Sequence, residues 1–463
     1  MGKLGVLLAL ALAGIVPASA GAAEPGVQAH LLWSSGSSGE VERQLDLIDE
    51  AGATYVRVDG GWSSLEPKQK GTYASWYLDR IDRVVQEAEE RSLELIFTFW
   101  ETPCWASTAP DSLKQDCSGS WWSRGVQRYA PRNASDYANA LAFVVERYGD
   151  RVDAWEIWNE PNHGDFLKGG DQVADYARIL KAAYPAAKRA DPNSTILGGS
   201  LAGSDFQFTK ALLDQGVKDK FDGWSIHPYS EDRSPLDPWL DRYVRNSFIR
   251  GVPAVRDVLE REGDAEPLWL TEFGWSTCNV RNQPQAYRNC VGESQQADWL
   301  ELAFEQMQRW DYVKVGIWFN LKDTTTNAAD KSRNFGLLKY DGSRKAAYGA
   351  LKSWTAEHNS VREASEPSPG LTLTADARNS VIRDQGRAAT SSAVKLRAYR
   401  YLRSRDRFTS EPRHELSFEA GNDGRYSGRI PASELADGRW KIIARATLEG
   451  ESVRRTDQVR WRD

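Results

Sequence analysis

The chain has 463 residues, 41% of them hydrophobic, with a formal net charge of −6. That length allows two or three domains and a large core, and no nucleic-acid partner is expected of so mildly acidic a chain. Five histidines without a close ligand pair, and four cysteines spaced too widely for a zinc site, give no expectation of a metal or cofactor.

The N-terminus has a secretory pattern. Lys3 supplies a positive start, Val6 to Val16 is apolar, and Ala18-Ser19-Ala20 suits a small-residue cleavage site. Residues 1–23 are therefore expected to be a signal peptide, which predicts a secreted or extracytoplasmic protein. Past this segment nothing approaches the roughly 18 consecutive apolar residues of a membrane span.

Residues 24–360 alternate between strand and helix patterns. Val27–Trp33, Thr54–Asp59 and Leu93–Trp100 read as strands, separated by helical stretches at Glu40–Ala51 and Trp76–Arg91. The second of those helices carries Tyr77, Ile81, Val84, Val85 and Ala88 on one stripe. A long polar loop, Glu101 to Arg132, holds Trp105, Trp121 and Trp122 before a helix at Ser135–Tyr148. The fourth strand begins at Val152 and runs into Trp158-Asn159-Glu160-Pro161-Asn162; Pro161 lacks an amide hydrogen and would end the ladder there.

Four more strands follow, at Thr195–Ser200, Phe221–His227, Pro267–Glu272 and Val313–Asn320. Helical stretches at Asp171–Ala190, Phe206–Gln215, Ser247–Glu262, Glu293–Arg309 and Lys345–Trp354 alternate with them. Eight such alternations predict a (β/α)₈ TIM barrel with enlarged loops.

Residues 361–370, VREASEPSPG, read as a linker. Residues 371–463 contain short alternating runs with turn signals at Asn422-Asp423-Gly424 and Asp437-Gly438, the pattern of a small all-β sandwich. This accessory domain carries 19 Lys/Arg against 13 Asp/Glu, a net of +6, which leaves −12 for residues 1–370. An arginine-rich face of this kind is either solvated or a contact for an anionic polymer or cell surface.

Four cysteines allow three pairings. Local pairs, Cys104 with Cys117 and Cys278 with Cys290, are expected because each brackets one irregular segment and an exported chain can oxidise them.

Glu160 and Glu272 both fall at carboxyl ends of expected strands, the fourth and the seventh, where barrel enzymes build their sites. Two carboxyl groups there suit glycosidic-bond cleavage, one protonating the leaving oxygen and the other meeting positive charge at the anomeric carbon. Arg57, inside the second strand, needs a buried anion, and Glu272 is the expected partner; the arginine would then hold that carboxyl ionised by lowering its pKa. Glu156 lies four residues before Glu160. Strict alternation would put it on the same face and about 13 Å deeper at ~3.3 Å per residue, as a structural partner of a buried base. Glu101 is closer to the mouth and is a candidate for binding rather than catalysis.

WNEPN followed by the distant Thr271-Glu272-Phe273-Gly274-Trp275 resembles the clan of retaining glycoside hydrolases with acid/base on strand four and nucleophile on strand seven. The likeness covers roughly residues 27–355 and is nearest to glycoside hydrolase family 39, with family 5 next. It implies that Glu160 is the acid/base and Glu272 the nucleophile, and that Asn159 bonds the sugar 2-hydroxyl. His227 and Tyr229 resemble the clan's His-x-Tyr element, the tyrosine being the better candidate to bond the nucleophile. Trp318 resembles the platform under the sugar. Trp100, Trp105 and Trp62 are further aromatic candidates, Trp275 is a cleft-wall candidate, and His30 faces the interior or mouth without an assigned contact.

The expected function is that of a secreted retaining glycosidase acting on a polysaccharide or oligosaccharide. The alternative is a carbohydrate-binding or cell-wall-associated protein on the same scaffold with little turnover.

Overall fold

Eight parallel strands close on themselves in sequence order, so every strand end with a carboxyl terminus lies on one rim. The computed structural model describes residues 23–33, 39–281 and 289–365 and, beyond them, the strands between 372 and 461. The expected signal segment up to residue 22 and linker residues 366–370 lie outside the described residues.

The barrel strands are β1 (Glu24–Gln28), β2 (Tyr55–Gly61), β3 (Glu94–Trp100), β4 (Ala154–Ile157), β5 (Thr195–Ala202), β6 (Gly223–His227), β7 (Leu268–Phe273) and β8 (Val313–Trp318). Closure comes from β1 pairing β8, with Val27 opposite Trp318. The helices are α1 (Glu40–Glu50), α2 (Trp62–Leu65), α3 (Ser75–Glu90), α4 (Asp111–Lys114), α5 (Ala134–Tyr148), α6 (Gln172–Ala190), α7 (Phe206–Asp214), α8 (Phe248–Arg261), α9 (Glu293–Met307) and α10 (Ala346–Ser365). The expected stripe on α3 is buried. Asp171, Asp205 and Ser247 cap α6, α7 and α8 through side-chain acceptors, satisfying amides that a helix start leaves orphaned. No helix among the described residues is long and apolar enough to cross a membrane.

Inside the barrel, Tyr55, Ile96, Ala154, Leu197, Trp269, Val315 and Ile317 form one buried layer. Tyr55 and Trp269 meet edge to face at 5.8 Å. Gly26 and Gly223 leave them room, since a Cβ on either would approach those side chains within 2.7 Å and 2.6 Å. Above this floor the inward positions become polar, and the rim is where the charges collect.

Several expected boundaries move. The first strand is Glu24–Gln28 rather than Val27–Trp33, because Leu31 to Trp33 turn away from the ladder. Strand β4 stops at Ile157, short of Pro161, since Trp158 and Glu160 adopt left-handed backbone with φ of 72° and 43°. Helix α10 continues to Ser365, five residues into the expected linker.

Past residue 371 the strands are all antiparallel and form two sheets. Thr372–Arg378 and Arg425–Pro431 flank Val381–Arg387 in one. The other centres on Ala393–Leu402, which pairs His414–Glu419 on one side and Gly438–Leu448 on the other, with Glu451–Trp461 beyond. The Asn422-Asp423-Gly424 signal therefore does not join a hairpin: the strand before it and the strand after it pair in different sheets. The tight connections are the two-residue ones between Arg378 and Val381 and between Leu448 and Glu451.

Candidate active site

Arg57 organises the rim. It projects inward from the middle of β2 and is fully buried, so each of its donors needs a partner. Nε bonds Glu156 at 2.8 Å, Nη1 bonds Gln28 at 2.9 Å and Glu272 Oε1 at 2.7 Å, and Nη2 reaches Asn159 Oδ1 at 3.0 Å. One guanidinium thus ties β1, β4, β7 and the turn after β4 together. The arginine's affinity for its proton rises: burial opposes the charge, but Glu156, Glu272 and Asp59 outweigh it.

Glu156 shares the Arg57 guanidinium with Glu272, which brings it into the network below the rim. Its role as the buried base's partner stands. Burial works against its ionisation, yet Arg57 above all holds the carboxyl below its usual range.

Glu272 arrives at the pocket through an irregularity. The register of β7 on β8 slips between Leu270 and Phe273, and at that slip Glu272 turns inward while Phe273 packs outward on Phe248 and Phe304. Its Oε2 accepts from the Tyr229 hydroxyl at 2.7 Å. Burial is the strongest influence on its pKa and raises it; His227 and Arg57 pull it back only in part, and Glu160 adds to the rise. Arg57 lowers this pKa as expected, but desolvation outweighs it, so the carboxyl stands above its ordinary value. Tyr229 is pushed well above its normal value, by burial first and then by Glu272, and so stays a donor.

Glu160 follows the Trp158-Asn159 turn, with its amide bonded to Ser200 O at 2.8 Å. Its Oε1 lies 2.9 Å from His227 Nδ1, and His227 Nε2 lies 3.4 Å from Ser200 Oγ. With the serine hydroxyl donating to Nε2, Nδ1–H donates to Glu160 and leaves its second oxygen free. His227 is also 3.7 Å from Glu272 Oε2. Burial disfavours its charged form, but Glu272 and Glu160 together raise its pKa.

A ligand atom from each of Glu160, His227 and Glu272 lies within 4.8 Å of the others, and among the described residues this is the group shaped to hold a metal ion. Arg57 and Tyr229 each occupy an oxygen of Glu272, and the guanidinium supplies the positive charge that a cation would bring.

The aromatic expectations divide. Trp318 is fully buried, its indole bonded to Phe335 O at 3.2 Å and its ring packed on Phe273 and Trp275. It is core rather than platform. The next residue, Phe319, is half-buried and meets His30, Tyr229 and Phe335 edge-on, so it takes the rim position that alternation denies to Trp318. Trp100 is also buried, against Phe166. Trp62 and Trp275 are core, bonded to Glu66 and to Arg233 O. Trp105 is part-buried, with its indole on Glu66 O.

Four polar residues of the network, Gln28, Asp59, Asn320 and Ser200, escaped sequence reasoning, and His30 gains the contact it lacked. Gln28 and His30 both bond Asp59, at 2.8 Å and 3.0 Å, and Asn320 Nδ2 lies 3.4 Å from His30 Nε2. The inward alternation Gln28, His30 and Arg57, Asp59 was a usable signal for the first strands. Ser200 sits on a bulge of β5 between Gly198 and Leu201, and the paired glycines Gly198-Gly199 were its sequence mark. Both expected disulfides form, Cys104–Cys117 in the loop after β3 and Cys278–Cys290 after β7, so each braces a loop on the site's rim.

The model of a family described as cellulase (glycosyl hydrolase family 5) matches residues 18–314. A β-glucosidase of Agrobacterium sp. is 31% identical over 122 residues, 26% of this chain and 23% of that protein. The chain thus aligns with less than a quarter of the length of the first curated relatives it matches. Among solved structures, a family 39 glycoside hydrolase of Bacteroides cellulosilyticus has a TM-score of 0.58 at 20% identity, covering 88% of this chain and 80% of that one. A family 39 enzyme of Xanthomonas axonopodis pv. citri has a TM-score of 0.54 at 15% identity, with 89% and 93% covered. These structures share the fold.

Proposed function

The chain belongs to the cellulase family, glycosyl hydrolase family 5, and from that premise we propose that it hydrolyses O-glycosidic bonds of an oligosaccharide or polysaccharide with retention of configuration. The observation that carries this reading is the pairing of Glu160 and Glu272, with an oxygen of each inside a 4.8 Å cluster. Retaining pairs stand about 5–5.5 Å apart, whereas inverting pairs leave about 6.5–9.5 Å for a water.

In the first step a Glu272 oxygen bonds the anomeric carbon as the glycosidic C–O bond breaks, and Glu160 gives its proton to the departing oxygen. In the second step a water attacks the glycosyl ester, Glu160 takes the water's proton, and Glu272 leaves as carboxylate. Arg57 and Tyr229 fix the two oxygens of Glu272, which limits the geometries from which it attacks. Asn159, anchored by Arg57, is the candidate for the 2-hydroxyl. Phe319 is the candidate platform, in place of Trp318.

Glu272→Ala should lose at least about 10³-fold in kcat and regain turnover with azide, giving a glycosyl azide of inverted configuration. Glu160→Ala should keep activity on substrates with good leaving groups and lose it on poor ones. Absence of azide rescue, or equal loss on both substrate types, would remove the respective assignment. A screen of nitrophenyl glycosides beside polysaccharides identifies the sugar.

The apolar N-terminal segment and the two disulfides also support export to an oxidising compartment. Recovery of the protein from the medium with a start near residue 24 tests that. The net +6 of residues 371–463 supports contact with an anionic polymer or surface, tested by comparing retention of the full chain and a chain ending at Ser365 on such a matrix.

A further inference from the structure

Two cations beside the rim have no part in the mechanism above. Arg128 ends the short helical turn Val126–Arg128 in the loop after β3, and Lys168 lies on the loop that follows Glu160. The backbone pins these loops together: Lys168 N bonds Arg128 O at 2.7 Å, and Lys168 pairs with Tyr129 as a parallel bridge. Gly125 lies against both side chains. A Cβ there would stand 3.6 Å from Lys168 Nζ and 4.0 Å from Arg128 Cδ. Both loops are also tied to the catalytic rim. Gln127 O, next to Arg128, accepts from the amide of Thr102 at 2.8 Å, and Thr102 follows Glu101. Phe166 O, just before Lys168, accepts from the indole of Trp158 at 3.1 Å, in the turn that carries Glu160. Burial raises the pKa of Glu101, and Arg128 is close enough to oppose that rise.

Neither cation is matched by an anion. Among the described residues, neither side chain donates a hydrogen bond or forms an ion pair. Carboxylates beside them are engaged elsewhere: Glu101 by the Ser63 hydroxyl, Asp171 by two amides at the start of α6, and Asp175 by Arg178. Both cations are half-buried, so water screens their mutual repulsion less than it would on an open surface. Residues 1–370 carry a net of −12. Two adjoining cations without a carboxylate, in so acidic a unit, form a local field that an anion from outside would fill.

We propose that Arg128 and Lys168 form an anion subsite beside the catalytic pair, taking a carboxylate, sulfate or phosphate substituent on a sugar unit next to the one cleaved. The inference rests on the glycosidase reading above and adds the substrate class to it, an acidic glycan. The guanidinium offers a planar fork of donors and the ammonium a point charge, so one oxyanion can bridge the two loops. The anionic polymer proposed as a contact of residues 371–463 belongs to the same chemical class.

The test uses the full chain and oligosaccharides of the sugar that the nitrophenyl screen identifies. Each is compared in its neutral form and with one unit carrying a carboxylate, a sulfate or a phosphate. The parent should favour at least one acidic form by about 10- to 100-fold in kcat/KM, the contribution of hydrogen bonds between charged groups. The form it favours identifies the source of the anion, and the preference should weaken with added salt. Arg128→Gln combined with Lys168→Gln removes both charges and should abolish the preference by raising KM for the acidic form. Lys168→Glu should turn the enzyme against that form. Arg128→Lys keeps the charge without the fork and should retain a reduced preference. A parent indifferent to all three acidic forms overturns the inference, as does a folded double variant that keeps the preference. If the double variant does not fold, Lys168→Glu with an unchanged preference overturns it instead. Labelling of Glu272 by a 2-deoxy-2-fluoro glycoside separates the two layers. A parent neither labelled nor active on any glycoside sinks the catalytic reading and this inference with it, whereas a labelled parent indifferent to acidic substituents sinks this inference alone.

Discussion

Glu272 is held by opposing influences whose balance sets the pH response. Burial raises its pKa, His227 and Arg57 lower it, and the proximity of Glu160 raises it again. Glu272 and the His227 imidazole each shift the other's titration, so pH profiles report the pair rather than one residue. Attack requires ionised Glu272. The acid limb of kcat/KM should therefore fall above the 4.5 of an ordinary glutamate. His227→Gln should move that limb to still higher pH, since the imidazole's stabilising pull on the carboxylate is lost. A limb that stays put or moves down would show that His227 is neutral and acts on Glu160 alone. Strand-end spacing made Glu160, Glu272 and Arg57 legible, and the resemblance of the WNEPN and His-x-Tyr stretches added Asn159, His227 and Tyr229. The sign of the Glu272 shift was not legible, because it depends on how much water the folded rim excludes.

Single elements explain why those residues meet. Strand β2 places Tyr55, Arg57 and Asp59 on its inward face at successive heights, and Arg57 finds its carboxylates on β4 and β7. Glu156 and Asp59 are both held below their usual pKa values, Asp59 by His30 and Arg57 against the opposing effect of burial. Groups with lowered folded pKa stabilise the fold above their unfolded values, here 4.5 and 3.8, and lose that contribution as pH falls through the folded ones. Glu156→Gln should cost about 3–5 kcal/mol at neutral pH, because it leaves a buried guanidinium short of one charge. The difference from the parent should shrink in acid, where Glu156 is itself protonated; urea titrations at neutral pH and in acid read both. Equal losses under the two conditions would mean that packing, not charge, is what Glu156 supplies. Alternation predicted the inward face of β2 correctly and misled for β4 and β7. Left-handed turns at Trp158 and Glu160 and the slip before Phe273 break period two where the site is built, whereas Trp318 follows it and was placed on the rim by resemblance alone.

Across the whole molecule, the enlarged loops after β3 and β7 flank the pocket, and each is closed by a disulfide. With sequence separations of 13 and 12 between the paired cysteines, each bridge is expected to contribute about 3 kcal/mol by restricting the unfolded chain. Reduction under native conditions should therefore lower the unfolding midpoint by several degrees. It should also raise KM before it lowers kcat, since the loops border the substrate and the glutamates sit at strand ends. A reduced protein with unchanged midpoint and KM would make both bridges incidental. By itself the sequence determined the barrel, the local cysteine pairs and the two glutamates on strands four and seven, because strand and helix periodicity and the WNEPN and TEFGW stretches are local patterns. It did not determine that Phe319 rather than Trp318 faces the rim, that Glu156 and Glu272 share one arginine, or that Ser200, Gln28 and Asn320 belong to the network. Those depend on backbone irregularities and on contacts between strands as much as 290 residues apart, which exist only once the barrel closes.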